Sequence, residues 1–386
     1  MSFGLAAACA AGVDAAARHA DDVDAKARFP MEAFAVLREQ KLLGVLVPKS
    51  EGGPGADLGQ VVSICHALGQ ACASTAMVYA MHQIQVACIV RNNGGSPWLR
   101  AFSKRLASEQ LLLASATSEA GTGGDVRSSI CAVEEKDGRF SLEKQATVIS
   151  YGANAEGLLI TARRTPQSPA SDQVLVVLPR ETYQLERTQG WDTLGMRGTC
   201  SDGYHVKADG VPGQILPLPY AEISAQTMLP TSHLVWSAVW LGVATDAVGR
   251  ARAFLRGEAR KKPGTTPAGA MRLAEASSLL HLMKANLVAS LRQYEAAMVS
   301  EDKIASPHFA VAMNNLKVDS SRLVVKIVGE ALLAAGLAGY RNDSPFSLGR
   351  HLRDAHSAAL MVNNDRILAN TANLQMALRS EPELLG

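Results

Sequence analysis

The sequence predicts an α+β chain of several subdomains, helical at its start, stranded in its middle and helical again toward its end. Three observations carry this. Apolar residues recur at helical spacing up to about residue 110, short β-branched runs bounded by turn signals fill 113–217, and longer helical periods occupy the remainder. At 386 residues the chain exceeds one ordinary core and can bury a large ligand. The divisions fall at 1–112, 113–217 and 218–386.

In the first segment Phe29-Pro30 closes an opening helix, and MEAFAVLREQKLLG reads as the next, with Gly44 near its C-cap. Asp57 is placed to cap a third helix, in which Val61, Ile64, Cys65 and Leu68 share one face. Ser74 opens a fourth that runs toward Arg91 until NNGGSP breaks it. In the middle segment SSICAVEE, RFSLEK, GLLITAR, QVLVVLP and GYHVKA have strand character, and Lys136-Asp137-Gly138 makes a hairpin corner. Such runs at short spacing suggest a small antiparallel barrel or sandwich. Beyond residue 220, Leu234, Ala238, Leu241, Thr245, Val248 and Leu255 form a buried stripe. Ser306-Pro307 supplies an N-cap followed by proline at the first helical position, opening a helix to about Ala335. Three or four long helices of this kind could form a bundle.

Composition narrows the function. A hydrophobic fraction of 47% with 19% charged residues is that of a globular protein, and a net charge of +2 argues against nucleic acid or an anionic membrane as the main partner. The six cysteines are scattered, without C-x-x-C or a His/Cys cluster at zinc spacing, so they read as thiols of a reducing cytoplasm and no metal site is expected. MSFGLAAACAAGVDAAARHADD has no basic residue ahead of its apolar run and is not expected to act as a signal peptide. Uncharged apolar runs stop short of about 18 residues, so no membrane span is expected.

One loop carries chemistry. In ASATSEAGTGGDV, residues 114–126, Gly121, Gly123 and Gly124 stand beside Ser118, Thr122 and Asp125, bringing backbone N–H groups and hydroxyls together as a planar polar ligand or a phosphate requires. Alone, such a loop is more often a turn leading into a strand.

Other segments agree with it in order along nearly the whole chain, which resembles the acyl-CoA dehydrogenase superfamily of flavoproteins. LLGVLVPKSEGGPGADL is similar to that family's early signature, and SEAGTGGD to its T-E-x-x-x-G-S-D flavin loop. LEKQATVIS matches the strand L-N-G-x-K-x-W-I-T, and TLGMRGTCSDGYHV the strand K-M-G-x-R-x-S-x-T. EARKKPG stands where the family has E-R-x-x-F-G, and AAGLAGYRNDSPFSLGRHLRDA resembles G-G-x-G-Y followed by an R-D-A helix.

The resemblance implies an N-terminal α-helical domain, a middle antiparallel β-barrel and a C-terminal four-helix bundle, in a homo-oligomer, dimer or tetramer. FAD would lie between the β-domain and the bundle. Thr117, Ser118, Gly123 and Gly124 fall at flavin-loop positions, and Ser150 at the residue touching the isoalloxazine edge. Arg260 falls at the pyrophosphate-binding arginine, Gly336 and Gly339 at the bundle turn near a partner subunit's FAD, and Asn364 and Arg366 beside the cofactor. Departures stand at Gly124 for Ser, Val148 for Trp, Pro263 for Phe and Leu337 for the second Gly of G-G-x-G-Y. No G-x-G-x-x-G follows a strand, which argues against an ordinary dinucleotide fold.

The implied reaction is α,β-dehydrogenation of an acyl thioester on CoA or an acyl carrier protein, with electrons passing to an acceptor flavoprotein or to O2. It needs a carboxylate base near the α-proton. That Glu aligns on Val362, within a stretch RDAHSAALMVNNDR in which Ala358–Val362 runs into four polar residues. The alternative base position, on the first bundle helix, reads Ser232 and His233. His233 and Asp365 remain as candidate bases, and Glu119 in the flavin loop reads as a structural acid. Ser232, His233, Trp236 and Met361 are the expected substrate wall, with Trp240 one turn beyond Trp236 and with Arg197, Cys200 and Ser201 as further candidates. A flavin monooxygenase using reduced flavin and O2 on the same scaffold is the main rival reading, and a non-catalytic flavin- or acyl-binding homologue the third.

Overall fold

The structure, a computed structural model, describes residues 4–378. Its chain forms two compact units. One comprises Met1–Val61, Val78–Thr193 and Arg197–Ser232, and the other Val62–Met77, Leu194–Met196 and His233–Gly386.

In the first unit, α1 (Leu5–Ala25) buries Ala8, Ala15, Ala16, Ala20 and Val23. These small side chains let α2 (Met31–Glu39) approach closely, and the two are braced by Arg28, which donates to Asp22 and Glu32. Pro30 stands at the N-cap of α2 as its fixed φ allows. The helix expected to run to Gly44 stops at Glu39. The carbonyls of Leu42 and Leu43 instead accept from Tyr79, His82 and Gln83, while the amides of Leu43 and Gly44 donate to Gln110. Those partners come from α4 (Ala73–Asn92) and from the residue after α5 (Pro97–Glu109). Long-range bonds thus displace the last helical turn.

His82 joins two of these layers. Its Nε2 lies 2.8 Å from the Leu43 carbonyl, so it carries the proton, and its Nδ1 accepts from the Leu113 amide at 3.0 Å. Burial holds its pKa down to about 4 against an ordinary 6.5. An unfolded chain therefore takes up this proton first: the stabilisation is fully present above about pH 6.5 and is lost as pH falls toward 4. Complete burial makes the expected loss about 3 kcal/mol across that window. Urea unfolding followed against pH should show a steeper slope in the native chain than in His82→Gln, and equal slopes would refute the assignment.

The strands of this unit form two sheets. β1 (Leu113–Ala116) runs parallel to β4 (Gly157–Arg163), which pairs antiparallel with β5 (Gln173–Pro179). The second sheet has the order β2-β3-β7-β6, all antiparallel, from β2 (Glu134–Lys136), β3 (Arg139–Ile149), β6 (Tyr183–Gln189) and β7 (Asp202–Gly210). The expected antiparallel barrel is thus resolved into sheets of three and four strands, one of them containing a parallel pair. Asp137 and Gly138, both at positive φ, close the β2–β3 hairpin as the sequence predicts. SSICAVEE does not form the strand expected of it, since only its last residues enter β2.

In the second unit α10 (Pro307–Ala335) packs against α8 (Ala270–Ala297), α12 (Gly349–His356) and α13 (Asn364–Ala377). Ser306 caps α10 by accepting from the Phe309 amide, and Asn314 donates to Asn370 and Thr371 of α13. α7 (Leu229–Lys261) buries the predicted stripe, with Thr245 half-buried. A helix α3 (Leu58–Ala71) opens with the reciprocal Asp57–Gln60 capping pair and meets α7 at a glycine contact, Gly69 against Gly242. α4 is long and apolar enough to cross a bilayer, but its side chains are mostly buried within the protein.

Candidate functional site

The first unit contributes a loop and a bulged strand. Register shifts between Ala146 and Ile149 where β3 pairs with β7, so the backbone at Thr147 and Val148 leaves the ladder. The Val148 amide donates to Ser118 Oγ at 3.3 Å, and Ser118 Oγ donates to the Val148 carbonyl at 3.0 Å. Val148 itself is 40% exposed, an apolar side chain at the lip of the loop. Thr117 is half-buried beside it. A chain of three hydroxyls follows: Ser150 Oγ lies 2.8 Å from Ser201 Oγ, which lies 2.9 Å from Thr199 Oγ1.

The glycine loop is exposed at Gly121, Gly123 and Gly124, all at positive φ, and a side chain at Gly123 would meet nothing within 4 Å. What shapes it is Glu119, only 5% exposed. Its carboxylate accepts from Ser129 Oγ at 2.7 Å, the Ile130 amide at 3.2 Å and the Cys131 amide at 2.7 Å. Lys144 Nζ stands 3.5 Å away, fully buried and donating to the Thr161 carbonyl and hydroxyl. Burial lowers the Lys144 pKa, an effect that the Glu119 charge opposes. The bonds to Ile130 and Cys131 also explain why SSICAVEE is not a strand: two of its central amides are taken by a carboxylate.

Arg197 is occupied structurally, donating to the carbonyls of Asp24 and Thr193. Cys200 has its pKa raised to about 11, by burial first and then by Asp202, so it is not a nucleophile near neutrality. Ser232 Oγ donates to the Met228 carbonyl at 2.6 Å, one turn back at the end of a π-helical turn, Ser224–Met228.

The second unit contributes α7, α10 and the turn before α13. His233 Nδ1 lies 3.0 Å from the Met313 carbonyl, which can only accept, so the neutral ring carries its proton there. Its Nε2 is buried without a hydrogen-bond partner, as are the indole nitrogens of Trp236 and Trp240. Burial, and then the charge of Lys317, lower the His233 pKa to about 3. His233 is thus neutral at physiological pH and a poor base, though its free lone pair can accept a hydrogen bond.

Val362, aligned by resemblance on the family's carboxylate, has φ 49°, a left-handed conformation that a β-branched residue rarely adopts, and is 38% exposed. Its carbonyl accepts from Lys317 Nζ at 2.7 Å, and the same ammonium donates to Asn364 Oδ1 at 2.7 Å. Asn364 Nδ2 in turn donates to Ser321 Oγ. The amide of Asn364, assigned to the cofactor by resemblance, is therefore turned inward. Asp365 is exposed, with its backbone amide capped by Asn363 Oδ1, and its carboxylate belongs to the first turn of α13. Met361 is half-buried and Arg366 exposed. Arg260 is exposed in the last turn of α7. Gly336 closes α10 at positive φ, and a side chain on Gly339 would meet Ala335 Cβ at 2.9 Å.

Sequence reasoning missed Lys317. A lysine within a long helix reads as solvent-facing, and its neighbours Asn314, Asn315, Leu316, Val318 and Asp319 mix polar with apolar and give no sign of burial. Among the described residues no three His, Cys, Asp or Glu side chains gather at metal spacing. Within the first unit, the open glycine loop suits the polar edge or phosphate of a flavin.

Together the fold and these positions define the class. The chain belongs to the acyl-CoA dehydrogenase superfamily: residues 6–110 match the family's N-terminal domain and residues 234–365 its C-terminal domain. Its relatives span more than one chemistry. It is 23% identical over 355 residues to cyclohex-1-ene-1-carbonyl-CoA dehydrogenase of Syntrophus aciditrophicus (strain SB), covering 91% of this chain and 83% of that one. It is 24% identical over 351 residues to the amino sugar nitrososynthase DnmZ of Streptomyces peucetius, covering 88% and 84%. Its fold is similar to FMN-bound TdsC, a dibenzothiophene monooxygenase from Paenibacillus sp. A11-2, with a TM-score of 0.84 at 19% identity over 98% of this chain and 100% of that one.

Proposed function

We propose that this chain is a flavin-dependent monooxygenase on the acyl-CoA dehydrogenase scaffold, using reduced flavin and O2 to oxygenate an aromatic, sulfur or amine substrate. The observation that carries this reading is the turn at Val362. Dehydrogenation of an acyl thioester needs a carboxylate there, and this chain has an isopropyl group backed by a buried ammonium. The other candidates do not replace it. His233 stays neutral down to about pH 3, Ser232 spends its proton on the Met228 carbonyl, and Asp365 lies exposed on α13.

Reduced flavin, when bound, supplies two electrons to O2, so that one oxygen atom reaches the substrate and the other leaves as water. The residues' part is to hold and to orient. Thr117, Ser118, Ser150 and the amides at Gly123 and Gly124 are flavin contacts on this reading, with Arg366 beside the cofactor and Gly336 and Gly339 near a partner subunit's. We take FAD as the flavin because exposed Arg260 is free to meet a diphosphate, which FMN lacks. His233 Nε2 accepts a hydrogen bond from the substrate or cofactor, and Trp236 and Met361 wall the substrate.

The relatives named as a nitrososynthase and a dibenzothiophene monooxygenase support this reading. The cyclohexene-carbonyl-CoA dehydrogenase supports a second, α,β-dehydrogenation of an acyl thioester. Reconstituted, anaerobically reduced protein is expected to consume O2 and place one labelled oxygen atom in a substrate from an aromatic, thioether and amine panel. Bleaching of the oxidised flavoprotein by an acyl thioester without oxygen would establish the dehydrogenase instead. A protein that binds neither FAD nor FMN would end both readings.

A further inference from the structure

We propose that Lys317 is the positioning residue of the candidate site, its ammonium clamping the Val362–Asn364 turn in the left-handed form so that loss of its proton loosens the turn. The inference rests on the site lying at this turn and not on which reaction occurs there.

The geometry makes the clamp specific. Lys317 is fully buried, yet it donates twice to the turn: to the carbonyl of the strained residue and to the side chain two residues on, each at 2.7 Å. A Val at φ 49° is held only if its surroundings over-determine it. Here a charge-assisted bond to its own carbonyl does so. The third face of the ammonium lies 5.9 Å from the centre of the Trp240 ring.

Among the described residues no carboxylate is bonded to this cation. From α7 the titratable neighbour is His233, itself kept neutral. α13 brings neutral Asn364, with Asp365 and Arg366 exposed. On α10, Asp319 stands two residues on and Arg322 in the next turn, and burial raises the Asp319 pKa. From α8, the pairs Arg272–Glu330 and Glu275–Lys326 join α10 nearer its C-terminal end. On α12, Asp354 is bonded to the Met196 amide and His351 to Asp246. Burial accordingly lowers the Lys317 pKa to about 7. The clamp is charged below that pH and neutral above it, within the range where an enzyme works.

Hydrogen exchange of the full-length protein, read on the amides of Asn364, Asp365 and Ile367 and corrected for intrinsic rates, tests this. Protection in the native chain should fall about tenfold between about pH 6 and pH 8, the difference between a charged and a neutral donor. Lys317→Arg should stay protected across that range, because guanidinium keeps its proton. Lys317→Met should be unprotected throughout, while amides of Val324–Val328 are unchanged in every variant. Native protection that does not vary with pH would overturn the proposal, as would Lys317→Met protected like the native chain. Should Lys317→Met fail to fold, the native profile and Lys317→Arg decide alone. Flavin binding and turnover do not enter these readouts, so failure of the monooxygenase reading would be seen separately.

Discussion

Gly242→Ala is expected to cost at least about 3 kcal/mol of stability, and Gly69→Ala a similar amount. A methyl group on Gly242 would lie 2.4 Å from the His66 carbonyl oxygen, 2.8 Å from Gly69 Cα and 2.9 Å from the Gln70 nitrogen. One on Gly69 would lie 2.5 Å from the Val239 carbonyl oxygen. All of these are backbone atoms in helices, which cannot swing aside as a side chain would. Relief requires α3 and α7 to separate, opening gaps along a packed seam. The same helix supplies the control. Gly249 has open space around it, and Gly249→Ala should raise stability by up to about 1 kcal/mol, the intrinsic helix preference of alanine. Chemical denaturation followed by circular dichroism separates the two signs. Equal effects at 242 and 249 would show that the α3–α7 contact does not require glycine.

Glu119→Ala is expected to cost about 3–5 kcal/mol, because it strands a buried ammonium and leaves three donors of residues 129–131 without their acceptor. Glu119→Gln keeps one carbonyl oxygen for the backbone amides but loses the charge facing Lys144, and should fall between Glu119→Ala and the native chain. Local release should be visible before global unfolding. Arg127 lies in the segment that Glu119 ties down, and its side chain is 77% exposed. Trypsin should cut after Arg127 faster in Glu119→Ala than in the native chain under native conditions. An unchanged cleavage rate with an unchanged melting temperature would mean that the loop is shaped by its glycines and not by the buried carboxylate.

These two predictions also mark where the sequence is legible. Caps and turns were, since each is written in a few adjacent residues: Asp57 with Gln60, Ser306 with Pro307, and Asp137-Gly138 at the hairpin. The six motifs in register identified the family, and the helix, strand, helix order followed from periodicity. Three features were not legible. α2 loses its last turn to hydrogen bonds from residues some forty and seventy positions away. SSICAVEE has strand composition, but Glu119 takes two of its central amides. β6, with the sequence YQLERTQ, is an exposed strand whose polar pattern gives no alternation to read.

The sequence by itself determined the family and the order of the elements, and by resemblance it sets a valine, Val362, where the family's carboxylate is expected. Covalent identity suffices for that, since valine takes no proton in any fold. Only the tertiary structure decided what stands behind Val362. Lys317 is 45 residues from Val362 along the chain, and nothing in its local sequence distinguishes it from a solvated lysine. Packing of α10 against the turn before α13 removes it from water and supplies two acceptors, Val362 O and Asn364 Oδ1. Burial then lowers its proton affinity, so the turn at Val362 is backed by a titratable positive charge.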